Sequence, residues 1–578
     1  MKILSLHCDY IKFKPVKAAI KGMELPAEEN KAVEVKEPLV IMTAVEKADE
    51  DNKTILADYI KNILDLKDKI GKIERIVLYP YAHLSSSLSS PDFAKQILID
   101  AEKELKAKGI ETFRAPFGYY KEFELKCKGH PLSELSRNIG NQVSQEIKTT
   151  ITKKEEVYDP QKLLAQISKS KLDTSKLKEN DHRIIGKNLD LFSFSEVAPG
   201  MVFWHNNGLI IYNELVSFWR DEHRKAGYTE ISTPQIMDRK LWEISGHWKL
   251  YKDNMFTTQY EGKECSVKPM NCPGGMLVYR SSQKSYKDLP LRAGELGKVH
   301  RLELSGVLAG LFRVIQFTQD DAHIFCTPDQ LEDEIEGVIH LIEKMLGKFG
   351  FKNYKFSLST RSEEKKDKYL GTDELWAKAE KTFENVLDKL KIKYIKQPGE
   401  AKFYGPSLDV LIKDSLEREW QCSTIQLDFN LPQRFEVTYK GSDGKDHTPI
   451  MLHRVVYGSL ERFIGVLLEH TNGNLPTWLS PVQVRVLSFT DRNEPTAQKV
   501  LDELKEAGVR AEADFTSTTM GDKIRKVAEL KIPFGVTIGD KEEKNGTLAV
   551  RSRDGKVEYG IKKQDFIDKI LKLIKERA

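Results

Sequence analysis

The chain has 578 residues, of which 40% are hydrophobic and 31% charged, and its formal net charge is +4. A chain of this length is too long for one hydrophobic core, so we expect three or four domains, and the composition is that of a soluble globular protein. The small net charge permits RNA binding without arguing for it. No apolar run approaches the roughly 18 residues that a membrane-spanning helix requires, so no membrane association is expected.

Residues 1–140 are predicted to form a compact α/β domain. The opening run MKILSLHCDYIKF lacks the long apolar stretch and cleavage site of a signal peptide, and its alternation predicts a strand. Helical periodicity covers Lys53–Leu66 and Asp92–Ala107. Four strands are predicted: Lys2–His7, Leu39–Val45, Arg75–Tyr79 and Phe123–Cys127.

Residues 141–188 are predicted to be a linker. Residues 141–185 are rich in lysine, poor in aromatic residues and interrupted by Pro160, which predicts a helical or extended segment with little core of its own. We interpret the lysines as a solvated face, with a nucleic-acid-facing role as the alternative.

Residues 189–479 are predicted to form a large mixed α/β domain. A long amphipathic helix over Asn207–Lys225 ends at Gly227, and a short strand over Tyr228–Ser232 follows it. Near the end of the domain, a helix is predicted over Leu460–Glu469.

The stretch from Gly297 to Cys326 predicts a binding site. Two β-like runs flank a loop of small residues, which predicts an antiparallel hairpin. The first run carries Arg301 and Glu303 on one face, because side chains two residues apart on a strand point the same way. The second run carries a polar set: Arg313, and then Gln319, Asp321 and His323 at alternate positions. Buried charge on a strand is costly unless it is paired or serves a ligand, so we expect a site for a polyanion beside a small polar molecule.

Residues 480–578 are predicted to form a third, βαβ-like domain. Its strands are predicted over Val482–Ser488, Ala511–Asp514, Phe534–Ile538 and Thr547–Arg551. Its helices are predicted over Thr496–Ala507, Lys523–Lys531 and Lys563–Arg577. The six cysteines of the whole chain have no disulfide-like spacing, which favours a cytoplasmic location: Cys8, Cys127, Cys265, Cys272, Cys326 and Cys422.

Three landmarks resemble the three motifs of the class II aminoacyl-tRNA synthetases. They are the long helix with a strand that ends at Pro234, the hairpin with Arg301 and Arg313, and the run Gly458–Arg462. Longer phrases narrow the resemblance, over about residues 189–578, to the threonyl-tRNA synthetases. These are KPMNCPG (268–274), FTQDDAHIFC (317–326), FYGPSLDV (403–410), WQCSTIQLDF (420–429), HRVVYGSLERFIG (453–465) and LPTWLSPVQV (475–484).

The first 140 residues resemble the archaeal-type editing domain of the same family, which is similar to D-aminoacyl-tRNA deacylases. The resemblance rests on His83, on PFGYYKEF (116–123) and on CKGHPLSELSR (127–137), and it implies an archaeal source. It assigns serine editing to four residues: Lys121, His83, Tyr120 and Glu134. The alternative for Lys121 is an ordinary surface lysine in an aromatic patch.

The resemblance implies a multidomain α/β and α+β chain. Its expected parts are an α/β editing domain (1–140), a class II catalytic core with an antiparallel sheet (189–479) and an α/β anticodon-binding domain (480–578). The implied activity is ligation of threonine to tRNA(Thr) through a threonyl-adenylate, with hydrolysis of Ser-tRNA(Thr). A homodimer is expected, because motif 1 usually builds a twofold interface. The alternatives are a non-catalytic tRNA-binding paralogue and a stand-alone deacylase with a decaying synthetase body.

The resemblance assigns ATP binding, with Mg²⁺, to Arg301, Glu303, Arg313, Gln421 and Arg462. Guanidinium groups suit phosphates because they present a planar fork and keep their charge. Arg301 would hold the α-phosphate and the amino-acid carboxylate, Arg462 the γ-phosphate, and Glu303 the adenine amino group. The family usually has Asn where this chain has Leu302. That side chain should point away, so that its two neighbours keep their orientation.

The resemblance also implies one Zn²⁺ per subunit, held by Cys272, His323 and His453. Spacings of 51 and 130 residues between ligands would not by themselves indicate a metal. A zinc ion with three protein ligands has an open position, which in this family binds threonine with help from Asp321. Other pocket residues carry over by position: Met270, Gln319, Tyr404, Gln426 and Ser459. For Cys422, a pocket role and ordinary core packing remain equally open.

Such a site rejects valine but not serine. Valine lacks the hydroxyl that the metal would bind, whereas serine lacks only a methyl group, which is worth about 1–3 kcal/mol. A second, hydrolytic site is therefore expected, and the N-terminal domain is the candidate. At the other end of the chain, Glu542 and Arg551 align with anticodon-contacting residues, the alternative for Glu542 being exposed charge near a turn.

Overall fold

The structure is a computed structural model that describes the chain except residues 21–24, 27–28, 72, 86, 131, 140–176, 352–353, 403 and 415–416. The described residues form two compact units, one on each side of residues 140–176. Most of the predicted linker, 141–188, lies outside the described residues. None of the described helices is long and apolar enough to cross a membrane.

The N-terminal unit is built on a seven-stranded sheet around one long strand. Its elements are β1 (Lys2–Ala18), β2 (Val33–Lys36), β3 (Pro38–Ala44), α1 (Ile55–Ile70), β4 (Arg75–Pro80), α2 (Pro91–Ala107), β5 (Glu111–Arg114), β6 (Tyr119–Cys127) and β7 (Glu134–Asn138). The first part of β1 pairs with β3 and β7, and its second part pairs with β2 and β6. Strands β3, β4 and β5 run parallel, and α1 and α2 bury apolar residues against them.

The sequence predicted four of the seven strands of this unit, but not the full length of every one. The predicted strand Lys2–His7 is only the first part of β1, which continues because Ile11 and Phe13 stay buried at alternate positions. The strands β2, β5 and β7 were not predicted, since they have only four or five residues and few apolar ones.

Residues 177–479 contain the largest set of elements. In chain order they are α3 (His182–Asn188), β8 (Phe192–Ser193), β9 (Phe203–Trp204), α4 (Asn206–Lys225), β10 (Thr229–Glu230), β11 (Ile236–Asp238), α5 (Arg239–Ser245), α6 (His247–Leu250), β12 (Thr257–Tyr260), β13 (Lys263–Val267), α7 (Cys272–Arg280), β14 (Lys284–Ser285), β15 (Leu291–His300), β16 (Gln316–Cys326), α8 (Leu331–Gly347), β17 (Tyr354–Thr360), α9 (Asp373–Lys389), β18 (Tyr394–Pro398), β19 (Ser407–Lys413), β20 (Glu419–Asp428), α10 (Leu431–Arg434), β21 (Tyr439–Lys440), β22 (Asp446–His447), β23 (Ile450–Ser459) and α11 (Leu460–Thr471).

An eight-stranded sheet organises these elements, in the order β10-β15-β16-β23-β20-β19-β17-β18. All neighbours are antiparallel except the edge pairs β10–β15 and β17–β18. One face packs on α8 and α11 in the main hydrophobic core, so the other face is left to carry polar residues. Residues 182–188 were assigned to the linker, yet they form α3, and Ile185 in the middle of this helix joins the core.

The C-terminal part matches its predicted strands closely. Its elements are β24 (Val484–Ser488), α12 (Glu494–Glu506), β25 (Ala511–Asp514), α13 (Met520–Glu529), β26 (Phe534–Ile538), α14 (Asp540–Asn545), β27 (Thr547–Ser552), β28 (Val557–Lys562) and α15 (Lys563–Glu576). The sheet order is β25-β24-β26-β27-β28, with the first three strands parallel and the last two antiparallel. The sequence missed β28 and α14, which bury few residues.

Candidate active site

The polar face of the eight-stranded sheet brings distant parts of the chain together. His323 of β16 lies directly opposite His453 of β23, which in turn lies opposite Gln426 of β20. Gln319 lies opposite Ser459 on the same pair of strands. Because side chains two residues apart share a face, Asp321 joins this row, as the sequence predicted.

Cys272, His323 and His453 form a cluster that fits a metal ion. Their ligand atoms lie within 4.8 Å of one another. The His323 side chain is fully buried, and neither of its ring nitrogens has a hydrogen-bond partner, although buried polar atoms are normally satisfied. One thiol and two imidazoles are a donor set that zinc prefers, so the residues present fit the implied ion.

The electrostatics of the cluster agree with that fit. Burial lowers the pKa of His323, which keeps its imidazole neutral and free to bind a metal. Burial raises the pKa of Cys272 well above its ordinary value, so this thiol needs a nearby cation to become a thiolate. Cys272 is the first residue of α7, directly after the N-cap position Asn271, and its sulfur lies within 4.8 Å of the ligand atoms of the two histidines.

Asp428 is a functional candidate that the sequence analysis missed. It is 0% exposed, and its Oδ2 accepts a hydrogen bond from Nε2 of His453 at 2.9 Å. Its Oδ1 accepts the backbone N–H groups of Asn430 and Leu431 at 2.8 and 2.9 Å. The carboxylate therefore fixes the ring so that Nδ1 is left for a metal. The alternation Gln426, Asp428 on β20 was the available signal.

The remaining predicted pocket residues surround the cluster. Asp321 accepts a hydrogen bond from Asn271 Nδ2 at 3.1 Å. The Tyr404 ring lies 5.5 Å from that of His453. Met270 contacts buried His247 through its sulfur, 2.9 Å from Nε2, and Gln426 donates weakly to the Gly405 carbonyl at 3.4 Å.

Three guanidinium groups gather beside this pocket. Burial, and then the positive charges of Arg313 and Arg301, lower the pKa of Arg462. The positive charge of Arg301 also acts on the pKa of Cys272, so Arg301 lies near both Arg462 and the metal cluster. Its Nε donates to the Pro269 carbonyl at 3.3 Å. Crowded like charges of this kind are stabilised by a bound polyanion.

The placement of these arginines corrects one expectation. The hairpin β15–β16 exists, but β15 ends at His300 and β16 begins at Gln316. Arg301, Glu303 and Arg313 therefore lie in the connection and not on the strands, because the chain turns before they are reached. Glu303 and Arg313 still meet, at 2.9 Å.

Leu302, Gln421 and Cys422 differ in their surroundings. Leu302 is 45% exposed, consistent with the expected outward orientation. Gln421 donates to Asp409 at 2.6 Å and to Thr424 at 3.3 Å, and among the described residues it has no hydrogen bond to the arginine group. A register shift in β20 turns Cys422 inward, so it packs in the main core.

Two buried carboxyl groups, both missed by the sequence, hold the start of α11. Asp320 accepts three backbone N–H groups, from Val456, Tyr457 and Gly458, at 2.9–3.0 Å. Glu461 accepts the N–H of Thr318 at 2.9 Å. Burial raises the pKa of each carboxyl to about 7.

The start of α11 in turn holds Arg462. Ser459 caps the helix by accepting the N–H of Arg462 at 3.1 Å, and Arg462 Nε donates to the Phe312 carbonyl at 2.9 Å. Its side chain is thereby fixed toward the other two arginines.

In the N-terminal unit, Lys121 and His83 belong to one aromatic cluster. The Lys121 amine lies 5.0 Å from the Tyr79 ring, and Tyr79 contacts Tyr81, which contacts His83 at 5.4 Å. The amine donates to two backbone carbonyls at 2.9 and 3.0 Å. Burial lowers the pKa of Lys121 to about 8, which is a perturbation typical of functional sites.

The other predicted editing and anticodon residues make only local contacts or are exposed. Tyr120 is 65% exposed, and no hydrogen bond in the described part of the N-terminal unit joins it or Glu134 to Lys121. In the C-terminal part, Glu542 accepts the Gly539 N–H at 3.1 Å, and Arg551 donates to the Gly555 carbonyl at 2.9 Å. These are local contacts that leave both groups partly accessible.

Family models match three successive regions of the chain. Residues 1–139 match the archaea-specific editing domain of threonyl-tRNA synthetase. Residues 256–471 match the class II tRNA synthetase core domain (G, H, P, S and T). Residues 483–573 match an anticodon binding domain.

Individual proteins extend these matches. The chain is 51% identical over 400 residues to a threonine–tRNA ligase of Desulforapulum autotrophicum, covering 69% of this chain and 62% of that relative. The chain thus spans less than two thirds of the curated relatives' length. It is similar to a crystal structure titled as the RNA binding domain of threonyl-tRNA synthetase from Cryptosporidium parvum (40% identity, 68% of this chain, 98% of that chain, TM-score 0.65). It is also similar to a crystal structure of a putative threonyl-tRNA synthetase of Aeropyrum pernix, with 30% identity and a TM-score of 0.62. That similarity covers 68% of this chain and 95% of that chain.

Proposed function

The chain belongs to the threonyl-tRNA synthetase family, and we propose that it ligates threonine to tRNA(Thr) with ATP and hydrolyses Ser-tRNA(Thr) in its N-terminal domain. The observation that carries the proposal is that Arg301 lies near both Arg462 and the Cys–His–His cluster. Adenylate formation needs a triphosphate and an amino acid side by side, and these two clusters suit one substrate each.

The arginine group would bind and orient ATP. Arg301 would hold the α-phosphate together with the threonine carboxylate, and Arg462 would hold the γ-phosphate, with Mg²⁺ balancing the remaining charge. Glu303, which now pairs with Arg313, would accept from the adenine amino group. Gln421 is proposed as a further ATP contact. No general base is needed, because the carboxylate is already a nucleophile, so orientation and electrostatic stabilisation would carry the rate.

The cluster of Cys272, His323 and His453 would hold one zinc ion per subunit, which when bound offers an open position to a hydroxyl group. Asp321 would accept from the threonine amino group. Met270, Gln319, Tyr404, Gln426 and Ser459 are proposed to shape the pocket around the side chain. Valine would leave the groups that bind the hydroxyl unpaired and would be rejected. Serine carries the hydroxyl, so it would satisfy these groups and be accepted.

Serine would then be removed by the N-terminal unit. The Lys121 ammonium, partly buried at a strand end, would stabilise the oxyanion that forms when water attacks the ester carbonyl. His83 shares its aromatic cluster and would help to place the terminal adenosine. Tyr120 and Glu134 are proposed to approach only when the RNA is bound.

Other parts of the proposal concern partners and location. We assign residues 1–140, 189–479 and 480–578 to editing, catalysis and anticodon binding, with Glu542 and Arg551 contacting anticodon bases, which present edges and faces for recognition. A homodimer through α4 is proposed. A cytoplasmic location is proposed because all six cysteines are free thiols.

Pyrophosphate exchange tests the proposal directly. The purified chain should exchange pyrophosphate into ATP with threonine and with serine, and at least about 100-fold less with valine. A separate deacylation assay should show loss of serine from Ser-tRNA(Thr) and retention of threonine. Absence of both exchange and deacylation would identify a non-catalytic paralogue. Deacylation without exchange would identify a stand-alone editing enzyme.

A further inference from the structure

A buried histidine outside the predicted site connects helix α11 to the turn that carries Arg313. His182 begins α3 and is 1% exposed. Its Nε2 accepts the backbone N–H of Leu311 at 3.0 Å, and its Nδ1 lies 2.7 Å from Glu469 Oε1. A backbone N–H can only donate, so Nε2 is the acceptor and the ring proton sits on Nδ1, which donates to Glu469.

The residues that contact His182 also contact Arg462 or share its helix. Glu469 lies on α11 two helical turns after Arg462, and so on the same face, and it also pairs with Arg418. The Phe312 ring packs on the His182 ring, with centroids 4.2 Å apart. The Phe312 carbonyl accepts from Arg462 Nε at 2.9 Å. The contacts therefore form a closed ring that begins and ends on α11.

The turn of residues 309–313 is packed tightly between His182 and α11. Gly310 adopts a positive φ of +52°, and a Cβ there would lie 2.3 Å from His182 Nε2. On the other side, a Cβ at Gly465 of α11 would lie 3.0 Å from the Phe312 ring. Both glycines provide the close approach that the arrangement requires.

We propose that His182 is a positioning residue for ATP. It contacts no substrate; it holds the 309–313 turn so that Arg313, the Phe312 carbonyl and, through that carbonyl, Arg462 keep the spacing of a triphosphate site. The proposal rests on the proposed function, in which Arg313 and Arg462 bind ATP. A histidine that only fills space would instead affect threonine and ATP equally, because both sites share the same sheet.

The test compares three variants of the full-length chain in pyrophosphate exchange. His182→Leu keeps the volume but removes both hydrogen bonds, and we expect kcat/KM for ATP to fall roughly 5–30-fold while KM for threonine moves less than about twofold. His182→Gln keeps an acceptor for Leu311 and should recover to within about threefold of the wild type. The matched control is His223→Ala, another buried histidine, whose Nδ1 donates to the Trp219 carbonyl; it should lower the melting temperature and leave both KM values unchanged.

Several outcomes separate this proposal from its premise. A wild-type chain without exchange activity would contradict the proposed function. An active wild type with unchanged kcat/KM for ATP in His182→Leu, or with equal losses for ATP and threonine, would overturn the role of His182. If His182→Leu does not fold, Gly310→Ala tests the same contact from the turn, and it should show the same ATP-selective loss. Stabilisation of the melting temperature by Mg-ATP gives an independent readout, and it should be smaller in His182→Leu than in His223→Ala.

Discussion

Replacing Asp428 by asparagine tests whether this buried carboxylate orients the His453 ring for metal binding. Asparagine keeps an oxygen for the backbone N–H groups of Asn430 and Leu431, so the local turn should survive. The change removes the charge that accepts from His453 Nε2 at 2.9 Å in a fully buried position. A hydrogen bond to a charged group is worth about 1.5–3 kcal/mol, so zinc affinity should fall by about 10–150-fold.

Zinc affinity of the purified full-length chain, measured by competition with a chromophoric chelator, is the readout. The matched control is Asp409→Asn, a half-buried carboxylate two strands from His453 that accepts from Gln421 and Thr424 at 2.6 and 2.7 Å. That variant should keep its zinc affinity to within about threefold. Wild-type zinc affinity in Asp428→Asn, or an equal loss of affinity in Asp409→Asn, would show that the Asp428 carboxylate does not orient His453 for zinc binding.

Three other changes address the remaining parts of the chain. Lys121→Met should leave threonine activation intact and let Ser-tRNA(Thr) accumulate, which acid-gel analysis of charged tRNA measures; unchanged deacylation would remove the assignment. Because burial lowers the pKa of Lys121 to about 8, its ammonium is present below that pH and lost above it. The enzymatic deacylation rate, corrected for spontaneous hydrolysis, should therefore fall as the pH rises through about 8, and a rate that keeps rising would count against an ammonium role. Arg462→Ala should lower kcat/KM for ATP in pyrophosphate exchange by at least about 100-fold without changing zinc content, and retention of exchange would exclude it from phosphate binding.

The fold was predictable where local pattern decides it. Phe534–Ile538 has its predicted bounds, because it is a short apolar run of the kind typical of strands buried on both faces of a parallel sheet. The matches of three family models in order confirm the predicted editing, class II core and anticodon-binding parts. Strand lengths were less predictable, because the second half of β1 is stabilised by β2 and β6, which lie far along the chain.

Candidate site residues could be named from the sequence where a family phrase contains them, and not where only contacts between distant residues bring them together. His323 and His453 come together through the register of β16 and β23, which no spacing reveals. Asp428 was missed because its partner is 25 residues away. His182 was missed because Leu311 is 129 residues away. Arg301 was placed on a strand, although the chain leaves the sheet at His300.

Removal of bound metal tests the central claim most directly. After exhaustive chelation, the full-length chain should lose threonine-dependent pyrophosphate exchange and regain it when zinc is returned, whereas Mg²⁺ alone should not restore it. Exchange at the full wild-type rate in protein shown to contain no transition metal would contradict the assignment of Cys272, His323 and His453 as the site that recognises the threonine hydroxyl.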